Sequence, residues 1–428
     1  MSETSYPRLG ETVFRRTLSN GMEVIVVHKP YHAKASAFFA THYGGMDMRF
    51  QKDGQWLDTP AGIAHYLEHK MFDTEEGDAM NALAQNGAVC NAFTSASGTV
   101  YYFESTENFY KNLDILLHFV SIPYFTQESV DKERGIISQE IRMGEDDPDY
   151  KIYADLLKCL YASPAYNTSV AGTVESIQEI TPETLYDCHK VFYTPGNMAL
   201  VCVGNVDIDR VAEIAEEILP RESGPAILRD HGTETPLPVQ KELIEHMDVS
   251  MPQFLLGYKC RPCETGEEIL RRATIGDIAS DILFGTSSPL FTRLYEEGLN
   301  NGSLGGGISL QPGTTFVSVG GEAKDPQEIV EEIQKAIRDY SENGVPDALY
   351  EQIRRANYGQ FIRSLNSFES IAVNLSDGVF DGYDYFRLPE IFDTVTKKDV
   401  EDFIRQELVP EHAAISLILP LNEEDADA

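Results

Sequence analysis

Asp58-Thr59-Pro60-Ala61-Gly62-Ile63-Ala64-His65-Tyr66-Leu67-Glu68-His69-Lys70-Met71-Phe72 is the most informative stretch of this 428-residue chain. Thr59 is a helix-capping residue type and Pro60 suits a first helical turn, so the pattern predicts a helix beginning there. On a helix, His65 and His69 present both imidazoles on one face, because residues four apart are neighbours. Glu68 comes just before His69 and about one turn after His65, so it borders the same face. A plain surface pair of histidines has the same spacing, and a third ligand is needed before the pattern means metal.

Two neutral imidazoles and one carboxylate form the His2Glu set of a catalytic zinc site with an open fourth position. A metal held that way brings its bound water towards a pKa of about 7. Glu68 is then placed to take that water's proton and hand it to a leaving amine. His65-x-x-Glu68-His69 follows the HxxEH order, the inverse of HExxH, which is a zinc-peptidase signature. The third ligand is offered by Asp131-Lys132-Glu133-Arg134-Gly135-Ile136-Ile137-Ser138-Gln139-Glu140-Ile141-Arg142-Met143. Glu133 and Glu140 are two helical turns apart and share a face. Glu140 sits among Ile136, Ile137 and Ile141, where an acid is expected to be paired or metal-bound. A salt bridge to Lys or Arg is the alternative.

These residues together resemble the pitrilysin and insulinase zinc peptidases, inverzincins that include the mitochondrial processing peptidases. The short two-domain bacterial form is the match, and 70 residues lie between His69 and Glu140. The resemblance implies one Zn2+ per chain on His65, His69 and Glu140, with Glu68 as general base and Glu133 supporting a ligand. Asn91-Ala92-Phe93-Thr94, followed by Thr99-Val100-Tyr101-Tyr102-Phe103, resembles the family's edge strand, against which substrate lies as an added strand. A core hairpin with Thr and Tyr chosen for strand propensity is compatible with the same residues. Pro195-Gly196-Asn197-Met198 before an apolar strand is similar to the family's first-half ending.

The second half departs from the pattern. Many active members carry an Arg and a Tyr that bind the scissile carbonyl. In the stretch from Ser287 to Asn301, Tyr295 holds the Arg position and Asn301 the Tyr position. A partner chain supplying those donors, in a homodimer or heterodimer, is one implication; different donors are the other. The implied function is a zinc metalloendopeptidase acting on peptides or unfolded segments. The alternative is a non-catalytic or partner-dependent subunit of a peptidase complex.

Composition bounds these readings. With 42% hydrophobic and 24% charged residues the chain can bury large cores. A formal charge of -35 argues against nucleic acid and anionic membrane as partners and favours cationic ones. No stretch approaches the ~20 apolar residues of a membrane span, and MSETSYPRLGETVFRR has no signal-peptide core, so a cytoplasmic location is expected. The 6 scattered cysteines do not form a disulfide framework. Cys260-Arg261-Pro262-Cys263 is a lone CxxC, read here as structural thiols rather than a redox or metal site.

The segment Pro220 to Gln240 is rich in Pro, Gly and polar residues and reads as a linker between two similar halves. Both halves close with a helix, a Pro turn (Pro195, Pro410) and an apolar strand. Helices are expected between the opening and closing strands, including Thr106 to Ile122, Tyr150 to Tyr161 and Pro326 to Asn343. The expected fold is α+β: two homologous α/β-layer domains, each a mostly antiparallel sheet packed with helices. The boundaries predicted are 1–219, a linker at 220–240, 241–421, and an acidic tail at 422–428.

Overall fold

Ala35-Ser36-Ala37-Phe38-Phe39-Ala40-Thr41 is buried along its whole length, as is Met198-Ala199-Leu200-Val201-Cys202-Val203-Gly204. A strand that shows no polar face must be covered on both sides, and these two runs form the centre of a sandwiched sheet. In the computed structural model, which describes residues 2–263 and 266–421, that sheet has seven strands. In chain order the first strands are β1 (Ser2–Tyr6), β2 (Glu11–Thr17), β3 (Glu23–His28) and β4 (Ala35–Thr41). Two short ribbons follow, β5–β6 (Arg49–Lys52 and Gln55–Asp58) and β7–β8 (Asp73–Thr74 and Gly77–Asp78). The sheet is completed by β9 (Ala88–Thr94), β10 (Thr99–Ser105) and β11 (Met198–Gly204), in the order β1-β2-β3-β11-β4-β10-β9. All its pairings are antiparallel except β3 with β11.

A second sheet contains β12 (Glu242–Met247), β13 (Gln253–Cys260), β14 (Gly305–Gln311), β15 (Thr314–Glu322) and β16 (Ala413–Pro420). Its order is β12-β16-β13-β15-β14, again antiparallel except for one parallel pair, β12 with β16. The closing strand of each half is therefore inserted between two earlier strands, β11 between β3 and β4 and β16 between β12 and β13. The helices that precede them, Pro182–Phe192 and Lys397–Glu407, both start with a reciprocal capping box, at Thr181/Thr184 and Thr396/Asp399. The α+β fold with duplicated halves is what the sequence predicts. The opening strand β12 is not read from it, because Leu243 and Ile244 adjoin charged residues without a sustained period of two.

The compact units do not follow the predicted linear boundaries. One comprises Met1–Ile141, Ser169–His231 and Ile362–Phe386; the other Arg142–Thr168, Gly232–Phe361 and Arg387–Ala428. Each unit is discontinuous in sequence because each sheet recruits a helix from the other half of the chain. In the first unit the Phe368–Asp381 helix packs on β4 and β11. In the second, Leu156, Cys159 and Leu160 of the Pro148–Leu160 helix cluster with Phe316 and Ala414 of that sheet. An apolar sheet face is satisfied by any amphipathic helix within reach, whatever its place in the sequence. The segment 220–240 has no regular helix or strand, and its residues to His231 belong to the first unit. The predicted tail at 422–428 lies outside the described residues.

The CxxC does not form a reactive pair. Cys260 and Cys263 are both buried, and burial, helped by Glu407, pushes the Cys260 thiol up to about 12. Among the described residues no helix is long and apolar enough to cross a membrane.

Asp377, on the Phe368–Asp381 helix, carries a pH-dependent cost. Burial, and then the neighbouring Asp381 charge, push its carboxyl up to about 7. The folded state thus binds more protons than the unfolded chain between about pH 4 and pH 7, so stability falls as pH rises through that window. Asp377→Asn is expected to stabilise the protein at pH 8 by on the order of 2 kcal/mol and to change little at pH 4. Urea unfolding at the two pH values checks this, and an equal shift at both would contradict it.

Candidate metal centre

The helix carrying the two histidines spans Ile63–Met71, later than the Thr59/Pro60 start that the sequence suggests. Gly62 caps it with φ at 89°, and a Cβ there would come within 2.4 Å of the Ala171 carbonyl oxygen. The turn therefore requires glycine, and helical conformation begins only after it. Thr59 is used elsewhere: its hydroxyl donates to the Met48 carbonyl at 3.0 Å.

Ile63, Ala64, Tyr66, Leu67 and Met71 anchor this helix in a core shared with Val130, Ile137 and Ile141 of the Gln127–Glu145 helix. The Tyr66 hydroxyl also donates to the Val130 carbonyl, tying the two helices at one level. With those faces inward, the remaining faces meet. His65 Nε2 lies 3.5 Å from Glu140 Oε1, and His69 Nε2 lies 3.6 Å from Glu140 Oε2. One ligand atom from each of the three residues falls within 4.8 Å of the others.

This donor set fits zinc. Bonds of 2.0–2.2 Å in a tetrahedron put neighbouring ligand atoms about 3.3–3.5 Å apart, close to the two separations found between imidazole and carboxylate. His69 Nδ1 faces Glu133 Oε1 at 3.1 Å. A proton on that nitrogen, donated to Glu133, leaves the Nε2 lone pair directed at Glu140. The corresponding His65 Nδ1 is buried and has no hydrogen-bond partner among the described residues.

The electrostatics are those of a cation site. Burial pushes the Glu68 carboxyl above the usual range, and nearby Glu140 adds to this, while the Thr94 hydroxyl and the two imidazoles pull the other way. Burial lowers the His69 pKa, but the Glu133 hydrogen bond and the Glu68, Glu140 and Glu133 charges outweigh it, leaving a net rise. Glu133 is held below the ordinary range by its bond to His69, and Glu140 by its bond to His65. Three carboxylates crowd two imidazoles, an arrangement that a divalent cation would neutralise.

The sequence places Glu140 on a core-facing stripe. Ile137 and Ile141 are indeed buried, but Ile136 is 50% exposed and the Glu140 side chain is 49% exposed, so the carboxylate borders the core rather than entering it. The predicted edge strand is at the edge: β9 ends the seven-stranded sheet and leaves its outer backbone groups unpaired by the sheet. Asn91, Ala92 and Phe93 lie along it opposite Tyr102, Tyr101 and Val100. Thr94, read from sequence as a substrate contact, turns its hydroxyl to Glu68 Oε2 at 2.7 Å. Lys70 was passed over in sequence, although a lysine inside a buried run is itself a signal. Its ammonium contacts Asp73 and lies 3.7 Å from Glu133 Oε2.

In the second unit Tyr295 is largely exposed. Arg293 is engaged by Glu332 and Glu297, and Asn301 donates to Glu322 at 2.8 Å.

Comparison with known proteins agrees with this architecture. The insulinase (peptidase family M16) domain model matches residues 54–174, and the peptidase M16 inactive-domain model matches residues 179–357. The uncharacterised zinc protease YmfH of Bacillus subtilis is 34% identical over 421 residues, covering 97% of this chain and 98% of the relative. A second zinc protease of that organism, YmxG, is 24% identical over 95% of this chain and 98% of its own length. The crystal structure of an M16-like peptidase from Alicyclobacillus acidocaldarius matches at a TM-score of 0.93 and 32% identity, covering 96% of this chain and 99% of the other. A Helicobacter pylori protease, 18% identical, shares the fold at a TM-score of 0.81 over 95% of this chain and 99% of that one. Similarity that runs nearly end to end, with the HxxEH helix inside the matched first domain, shows that this chain belongs to the insulinase (M16) family of zinc peptidases, in its short two-domain form.

Proposed function

We propose that this chain is a zinc-dependent endopeptidase that hydrolyses peptides or unfolded segments, with Glu68 as its general base. The observation that carries this reading is the convergence of His65, His69 and Glu140 from two helices, with the Glu68 carboxylate beside them. A zinc ion held by those three side chains supplies a Lewis acid and lowers the pKa of the attacking water. Glu68 takes the water's proton and returns it to the leaving amine. Burial that raises its pKa suits that role, because a base nearer the operating pH can both accept and release the proton. The Thr94 hydroxyl fixes Oε2. Glu133 orients His69 through Nδ1.

The unpaired edge of β9, residues 88–94, is the natural place for an extended peptide. Backbone pairing there holds a substrate with little demand on its side chains. Oxyanion donors are a separate matter. Asn301 and Arg293 are engaged by acidic neighbours, and Tyr295 replaces the family's Arg. This favours a dimer, with a second copy or a related chain contributing the donors. A missing donor of that kind costs on the order of 10²–10³ in rate.

The first test is cleavage of a mixed quenched-peptide library by the purified chain, with and without a metal chelator, alongside zinc stoichiometry. Chelator-sensitive cleavage is expected. Zinc bound at one per chain without cleavage would favour the partner-dependent subunit, and absence of zinc would refute the metal centre. Glu68→Gln is expected to keep zinc and lose about 10²–10⁴ in kcat/KM; retained turnover would remove Glu68 as base. Glu140→Gln is expected to lose zinc, measured by metal analysis after dialysis, and unchanged zinc content would count against Glu140 as ligand. Thr94→Val should leave zinc in place and lower kcat about tenfold, the scale of one hydrogen bond to a charged group. A change confined to KM would instead return Thr94 to substrate binding.

A further inference from the structure

Lys70 follows the second histidine and is one of the most deeply buried side chains in the molecule, 1% exposed. On its helix it lies among buried Tyr66, Leu67 and Met71, where an apolar residue would avoid the cost of desolvating an ammonium. Two carboxylates accompany the charge. Asp73, in the β7–β8 ribbon, accepts a direct hydrogen bond, and Glu133 Oε2 lies 3.7 Å away. The other oxygen of Glu133, Oε1, is the one that faces His69 Nδ1 at 3.1 Å. Glu133 is thus held between Lys70 and His69, one oxygen to each.

We infer that Lys70 is a positioning residue of the metal centre, acting through Glu133 to fix the orientation and tautomer of His69. Asp73 alone would satisfy a hydrogen bond from Lys70, but it is a ribbon residue with a 46% exposed side chain and could be reached by a surface lysine. Burial directly beneath His69 brings the ammonium to Glu133 as well. With Oε2 attracted to Lys70, the carboxylate cannot swing away from His69, so Nδ1 keeps its proton and Nε2 stays aimed at Glu140. Partners of this kind typically change metal affinity by about 10–100-fold when removed. The inference rests on the proposed metal centre and goes beyond it, since neither the ligand set nor the general base requires a lysine here.

The test is zinc affinity, measured by competition with a chromophoric chelator, for the unaltered chain, Lys70→Met, Glu133→Gln and the double variant. Lys70→Met is expected to weaken zinc about 10–100-fold. The double variant is expected to bind no more weakly than Glu133→Gln alone, because Lys70 has no route to the metal except Glu133. Full additivity of the two losses would overturn the inference, as would Lys70→Met binding zinc like the unaltered chain. Failure of the unaltered chain to bind zinc would sink the metal centre itself, a distinguishable outcome. Asp73→Asn covers the case in which Lys70→Met does not fold. It leaves Lys70 to Glu133 and is expected to hold zinc at least as tightly as the unaltered chain. A loss there as large as that of Glu133→Gln would mean that Lys70 serves only to anchor the ribbon.

Discussion

The packing of the Ile63–Met71 helix against the Gln127–Glu145 helix is the constraint on which the centre depends. Tyr66 inserts into the shared core and its hydroxyl closes on the Val130 carbonyl, so the helices cannot slide without losing both contacts. A slip of one turn moves a side chain by about 5.4 Å along the axis, more than the whole 4.8 Å span of the ligand cluster. The His-His-Glu cluster is therefore a consequence of core packing. Ile137 and Ile141 go inward, and Glu133 and Glu140 are carried to the level of His69 and His65.

Around that contact the charges are arranged in layers. At the centre are two imidazoles and Glu140; beside them lies buried Glu68, held by Thr94. Behind His69 stands Glu133, and behind Glu133 the ammonium of Lys70. Glu133 thus has a donor at each oxygen, His69 on one side and Lys70 on the other.

The two sheets share the placement of their closing strand, and among the described residues the His-His-Glu cluster lies in the first unit. In both, the last strand enters between two earlier strands, β3 and β4 in the first sheet and β12 and β13 in the second, after a capped helix and a Pro-initiated turn. The repeat is a property of the apolar strands and caps, which tolerate wide changes in side chains elsewhere. The exchange of Phe368–Asp381 and Pro148–Leu160 between the two halves of the chain shows the same tolerance from the other direction. A helix is recruited by the apolar face it fits.

Local periodicity decided much of this protein in advance. The spacing of His65, Glu68 and His69 on one helix and of Glu133 and Glu140 on another can be read directly from the chain, as can the continuous apolar runs of β4 and β11. Those patterns depend on 3.6-residue and 2-residue repeats, which hold wherever the segment is placed. Other features arise only when distant residues meet. Gly62 delays the helix because Ala171 approaches it; Thr94 at the end of β9 meets Glu68; Lys70 finds Glu133 across 63 residues (133 − 70). Sequence spacing sets which side chains share a face, but the distance between two faces is set by the volume of the core that separates their helices, and that volume is a property of the packed structure alone.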